Sequence, residues 1–177
     1  MRTFLLIVIL FTSTMTYAKW DKDAIKAFKG SEAVNLQIDF SEATIMGLDS
    51  ADCVTYCCNK FGEGPQFLEL LFKRFRNVVV TNTSSKHKKI AIGADSDYIF
   101  KIKIKNITDN AGLSGEASLY NKENPDNPIR YVINMEDGRW NTFENLFLEA
   151  GEEMGKNIKS LLTDYFTYSR KSFKIRK

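Results

Sequence analysis

An α+β fold, a two-layer α/β sandwich with a mostly antiparallel sheet and its helices on one face, is what three features of this sequence predict. The first is the stretch Asp97–Asn106. Tyr98, Phe100, Ile102 and Ile104 alternate there with Lys101, Lys103 and Lys105, and side chains alternate faces along a strand. The second is that each of the clear strands has such a polar face, whereas buried parallel strands read as continuous apolar runs. The third is two long segments with apolar residues at helical spacing, near Pro65–Phe75 and Asn141–Phe166,. The order predicted is β-α-β-β-β-β-α.

The bulk properties suit one domain. The chain has 177 residues, 44% of them hydrophobic and 27% charged, which is ordinary globular composition. A formal net charge of +3 is too small to imply nucleic acid,. His87 is the single histidine, which leaves little room for histidine-based metal sites or catalytic dyads.

Residues 1–18 read as a signal peptide. Arg2 supplies the positive start, Phe4–Phe11 is an apolar run too short to span a bilayer, and Thr16-Tyr17-Ala18 offers small residues to a signal peptidase,. A retained N-terminal anchor is the alternative. The expected domain covers residues 19–166, followed by a basic C-terminal tail, residues 167–177. No later stretch is apolar enough to serve as a transmembrane segment, so the expected location is periplasmic or secreted.

Trp20 to Phe28 has the spacing of a short amphipathic helix, which Gly30 ends,. Val34, Leu36, Ile38 and Phe40 alternate with polar residues as a half-buried strand. Asp49 or Ser50 is placed to cap a helix reaching Phe61, with Val54, Cys57, Cys58 and Phe61 as its stripe,. Pro65 suits the first turn of the next helix, which buries Phe67, Leu68, Leu71, Phe72 and Phe75,. Val78-Val79-Val80 reads as a short strand, residues 81–89 as a basic loop, and Ile90–Ile92 as a brief strand. After the central strand, Leu113–Leu119 and a strand with Tyr131, Ile133 and Met135 inward complete a meander, its second turn running from Asn121 to Pro128,. Asn141 and Glu144 form a capping box for the last helix,. Gly151 and Gly155 on that helix imply close packing onto the small inner residues of the middle strand.

Four segments carry a resemblance over residues 33–166. They are Val34–Gly47, ending Ser-Glu-Ala-Thr-Ile-Met-Gly; Ala94–Ile104, Ala-Asp-Ser-Asp-Tyr-Ile-Phe-Lys-Ile-Lys-Ile; Leu113–Leu119, Leu-Ser-Gly-Glu-Ala-Ser-Leu; and Glu149–Lys156, Glu-Ala-Gly-Glu-Glu-Met-Gly-Lys. Together they resemble a family of small secreted proteins of Bacteroidota with no assigned function. The element order is similar to the periplasmic α/β domain at the N-terminus of TolB and to the lipopolysaccharide-assembly lipoprotein LptE. The resemblance implies an envelope protein and supplies no catalytic residues. It departs in one respect: several of those relatives are lipoproteins, and this chain has no lipid-attachment cysteine.

Few residues stand out as sites. Lys86, Lys88 and Lys89, with Lys101, Lys103 and Lys105, are the candidates for a partner surface, facing an envelope protein or an anionic envelope component. The bland alternative is a solvated face whose lysines guard against edge pairing. Cys53, Cys57 and Cys58 read as buried thiols, with a local or intermolecular disulfide, or metal or nucleophile chemistry, as alternatives. Asp49-Ser50-Ala51 fits the short pattern used by Bacteroidota for O-glycosylation, which makes Ser50 a modification candidate. No cofactor is expected. The functional expectation is a non-catalytic periplasmic binding or assembly module. The alternative is a hydrolase or thiol-dependent enzyme with a scattered site.

Overall fold

The computed structural model describes residues 20–135, 142–163 and 173–175. The element order is α1 (Lys22–Gly30), β1 (Ala33–Asp39), β2 (Thr44–Ile45), α2 (Ser50–Phe61), α3 (Pro65–Thr83), β3 (Lys89–Ala91), β4 (Tyr98–Ile107), β5 (Leu113–Asn121), β6 (Asn124–Met135), α4 (Phe143–Thr163) and β7 (Phe173–Ile175). The result is an α+β fold with an open, mixed, mostly antiparallel sheet. The strands run β3-β1-β4-β5-β6-β7, and β2 pairs with the far end of β4.

The meander β4-β5-β6 and its continuation into β7 are antiparallel, while β1, β2 and β3 join in parallel. A parallel neighbour needs a crossover, and α2 and α3 supply it between β1 and β3. Residues 92–97 then carry the chain past β1 to β4. Asn35 steadies that crossing by accepting from the Gly93 N–H at 3.0 Å, and Ser96 Oγ donates to the Ala33 carbonyl at 2.6 Å.

One face of the sheet is the core. Val34 and Leu36 of β1, Tyr98, Phe100, Ile102 and Ile104 of β4, and Tyr131 and Ile133 of β6 are buried there. So are Leu71, Phe75 and Val79 of α3 and Phe147, Met154 and Ile158 of α4, in the same apolar cluster. Phe40 joins the layers, stacking on Phe72 at 4.3 Å and meeting Phe75 edge-on at 5.1 Å.

Four sequence expectations are corrected. Val78–Val80 is not a strand: α3 runs on to Thr83. The stripe Leu68, Leu71, Phe75, Val79, Thr83 keeps helical spacing against the core, and that burial outweighs the β-propensity of three valines. Thr81, Asn82, Thr83 and Ser84 bond back to carbonyls three or four residues earlier, which satisfies the last turn.

The turn from Asn121 to Pro128 is instead a two-residue hairpin, and β6 begins at Asn124. Pro125 and Pro128 fit that strand because, among the described residues, β7 pairs with β6 at Tyr131–Ile133 alone. Earlier in β6 they sit at an edge, where a missing N–H costs no ladder bond.

Gly151 and Gly155 pack on α3 and not on β5. A Cβ on Gly155 would lie 2.7 Å from the Val79 carbonyl oxygen and 2.6 Å from Asn82 Cβ. Finally, the buried cysteines of α2 are Cys53 and Cys57, and Cys58 is exposed. The expected signal peptide, residues 1–18, lies outside the described residues, as do Asn141, Tyr165, Phe166 and most of the basic tail. Thr142 stands at the start of α4, its Oγ1 accepting from the Asn145 N–H at 3.4 Å.

Candidate partner-binding face

The second face of the sheet carries the outward residues of each strand. On β1 these are Asn35, Gln37 and Asp39; on β4, Ile99, Lys101, Lys103 and Lys105. On β5 they are Ser114, Glu116, Ser118 and Tyr120; on β6, Arg130, Val132 and Asn134. Register sorts them into rows. Gln37, Lys101, Ser118 and Arg130 lie side by side across four strands. The next row along the strands is Asp39, Lys103, Glu116 and Val132, and the row on the other side includes Asn35, Ile99 and Tyr120.

The lysines of β4 are not equivalent. Lys103 is bonded to Glu42, which raises its pKa, and Lys105 Nζ lies 2.7 Å from Glu116 Oε1. Lys101 and Arg130 make no ion pair among the described residues. Asp39 is the carboxylate near Lys101. The Ser41 N–H, at 2.8 Å, chiefly holds that carboxyl below its ordinary range, with Lys101 and Lys103 adding to the effect. Exposed ion pairs of this kind are worth little stability. Their effect here is to lower the free positive charge at one end of the face.

Of the other candidate lysines, Lys86 and Lys89 are exposed, Lys89 at the edge strand β3. Lys88 does not belong to any surface. It is 6% exposed, and its ammonium donates to the Phe28 carbonyl (2.7 Å), the Ser31 carbonyl (2.8 Å) and Ser31 Oγ (2.7 Å). It also sits 4.4 Å above the Phe28 ring centroid. Lys88 therefore ties down the C-terminal end of α1, where orphan carbonyls and the helix dipole favour a cation. Burial lowers its pKa. Trp20 holds the start of the same helix, its indole N–H donating to the Asn127 carbonyl at 2.9 Å.

Cys53, Cys57 and Cys58 are free. Burial pushes the Cys53 thiol up to about 11 and raises Cys57 as well. Both are protonated at neutral pH, and a protonated thiol is a poor nucleophile. Ser50 is exposed in the first turn of α2, and its neighbour Asp49 is the cap, accepting from the Ala51 and Asp52 N–H groups at 2.9 Å each. Among the described residues no cluster of three or more His, Cys, Asp or Glu is arranged to hold a metal ion. Among them, too, no helix is long and apolar enough to cross a membrane.

Sequence reasoning missed Arg130, Ser118 and Tyr120 as members of this face. The signal was present for Arg130, since it stands beside the inward Tyr131 and alternation turns it outward. Its alignment with Lys101 depends on the β5–β6 register, and a bulge between Leu119 and Asn121 shifts that register. Comparison with family models, curated proteins and solved structures finds no match to this chain.

Proposed function

We propose that this protein is a non-catalytic binding or assembly module of the cell envelope, exported to the periplasm or secreted, that docks an envelope protein or anionic envelope component on the open sheet face. The observation that carries the reading is that face itself: the side of the sheet turned away from the described helices, where Lys101 and Arg130 lie beside Ile99, Tyr120 and the 41%-exposed Val132. Enzymes usually work in concave apolar pockets with converging polar groups; a flat sheet face offers area for docking. The resemblance read from the sequence, of residues 33–166 to secreted Bacteroidota proteins and of the element order to TolB and LptE domains, implies an envelope setting. Burial and the raised thiol pKa weigh against Cys53 and Cys57 as nucleophiles,.

The test is site-specific photocrosslinking in intact envelopes. A photoreactive residue replaces Ser118 on the open face or, as control, Glu152 on the exposed side of α4. One defined adduct from position 118, absent from position 152 and weakened by Lys101→Glu, is the expected outcome. Equal adducts from both positions, or none from 118, would remove the docking role. A turnover assay in which one substitution abolishes activity would remove the non-catalytic reading altogether.

A further inference from the structure

The helix before β1 closes its own ends. Asp21 caps α1 by accepting from the Ala24 N–H at 2.7 Å, and Ser31 Oγ donates to the Phe28 carbonyl at 2.7 Å. Trp20, Ala24, Ile25 and Phe28 pack with the core cluster, and Phe28 is the buried residue of the helix. Lys22, Asp23, Lys26, Ala27 and Lys29 are exposed. So short a helix depends on docking for its stability, and a segment with few buried apolar side chains opens at low cost.

The socket that receives α1 is built without it. Trp20 and Phe28 form an aromatic triad with Tyr98, with ring centroids 5.8, 6.0 and 5.3 Å apart. Tyr98 opens β4, and Asn127, which accepts from the Trp20 indole, lies in β6. Both strands are held by pairing with β5, so these partners stay in place when α1 leaves. The joint is short. Ser31 and Glu32 alone separate α1 from β1, and a Cβ on Gly30 just before them would meet nothing within 4 Å. Lys88 closes that joint. Its ammonium holds the Phe28 carbonyl on the helix side and both oxygens of Ser31 in the joint itself. One side chain thus docks the helix and locks its hinge.

We propose that α1 is an exchangeable strap. It swings out about Gly30–Glu32 while the sheet stays folded, and two opened copies trade straps, so that Trp20 and Phe28 of one copy pack on Tyr98 of the other. The occupant is a second copy of this chain because the side chains that fill the socket are those of α1, and every copy carries them. A traded strap remakes each contact, so the dimer costs a new hinge angle and lost independent motion but no interaction. Exchange across a short connection is the low-cost route to such a dimer. Lys88 sets how fast the strap opens.

The experiment follows the size of the full folded chain over a concentration series, by light scattering after gel filtration, with a photoreactive residue at Ile25. Isotope-labelled and unlabelled chains are mixed, so that mass spectrometry separates adducts within a chain from adducts between chains. A dimer that grows with concentration and persists after dilution is expected, with adducts from position 25 of one chain to β4–β6 or the segment around Lys88 of the other. Lys88→Met should reach the same monomer–dimer ratio at least about tenfold faster, since a lost bond from a charged donor is worth about that factor or more. Inserting Gly-Ser-Gly between Ser31 and Glu32 keeps every strap and socket residue and lets each strap close freely on its own chain. It should lower the dimer fraction about fivefold or more. A chain that stays monomeric throughout, adducts confined to single chains, or a dimer fraction unchanged by the insertion would overturn the proposal. So would a folded Lys88→Met variant that equilibrates at the parent rate; if that variant does not fold, the insertion decides.

Discussion

Replacing Gly155 by alanine tests how closely α3 and α4 approach. The two helices meet where Gly155 faces Val79 and Asn82. An added Cβ would lie 2.7 Å from the Val79 carbonyl oxygen, 2.6 Å from Asn82 Cβ and 3.3 Å from Val79 Cα. Ordinary contacts are about 3.5–4.0 Å, so the helices must part by roughly 1 Å. Two of those three atoms are backbone and cannot rotate aside. Overpacking of this kind costs about 1–3 kcal/mol, and a gap of about 1 Å forfeits up to half the contact energy of nearby atoms. Against this, Gly→Ala in a helix interior gains about 1 kcal/mol. The net expectation is a loss of about 1–2 kcal/mol. For a chain of this size that lowers Tm by roughly 3–7 °C.

Gly151 is the internal control. Its Cβ would meet the Phe75 carbonyl oxygen at 3.1 Å and Phe75 Cδ2 at 3.4 Å. A shift of a few tenths of an ångström relieves both, so cost and propensity gain should cancel to within about 0.5 kcal/mol. Urea or thermal unfolding of the two variants side by side is the assay. If Gly155→Ala proves as stable as Gly151→Ala, or more stable than the parent, the close approach of α3 and α4 is wrong.

Four further measurements bear on other parts of the molecule. One equivalent of a thiol reagent should react rapidly with the native protein, at Cys58, and three after denaturation; fast reaction of Cys53 or Cys57 in the native state would contradict their burial. The folded-state pKa of Lys88 is depressed, so the unfolded chain binds the extra proton and the stability difference between the parent and Lys88→Met should rise with pH toward about 10.5,. Cys53 has the opposite sign: its folded pKa is raised to about 11 from 9.0, so stability relative to Cys53→Ala should fall as pH rises through that interval,. Gly115→Ala would drive a Cβ into the Lys103 carbonyl oxygen, a backbone atom that cannot rotate aside, and should cost at least about 2 kcal/mol, read as a lowered urea midpoint with an unchanged slope,.

The central strand was legible because its alternation is uninterrupted from Tyr98 to Lys105, and only one pairing geometry buries that set. The split of the sheet into parallel and antiparallel halves was not. Whether β1 lies beside β4 in parallel depends on the crossover through α2 and α3, and no local pattern in Ala33–Asp39 encodes it. The valines of α3 were misread because a three-residue β-branched run outweighs its neighbours in a short window, while Leu71, Phe75 and Val79 share a face only over several turns. Lys88 is the sharpest case. In a Lys-His-Lys-Lys run it reads as solvated, and its burial follows from the arrival of Phe28 and Ser31 from 60 and 57 residues away. The same limit applies to the candidate site. The lysines of β4 were visible, but their pairing with Glu42 and Glu116, and the alignment of Arg130 with Lys101, belong to the tertiary structure.

The parallel placement of β1 has a consequence for how the chain reaches this structure. A ribosome delivers the N-terminal third first, and neither neighbour of β1 exists at that moment. β2, which continues the same edge, meets β4 through Thr44 and Asn106, 62 residues apart. Until β4 has emerged, Val34, Leu36 and Ile38 have no sheet to join, whereas β4, β5 and β6 close on one another through turns of a few residues. Pairings between distant segments form late because the intervening loop must be ordered first. Any fragment ending before about residue 107 should therefore remain unfolded and prone to association through its unpaired apolar strand. Fragments starting after β1 should retain a native-like meander. Such a chain is suited to being kept unfolded until its synthesis is complete, a requirement that threading through a membrane translocon would also impose.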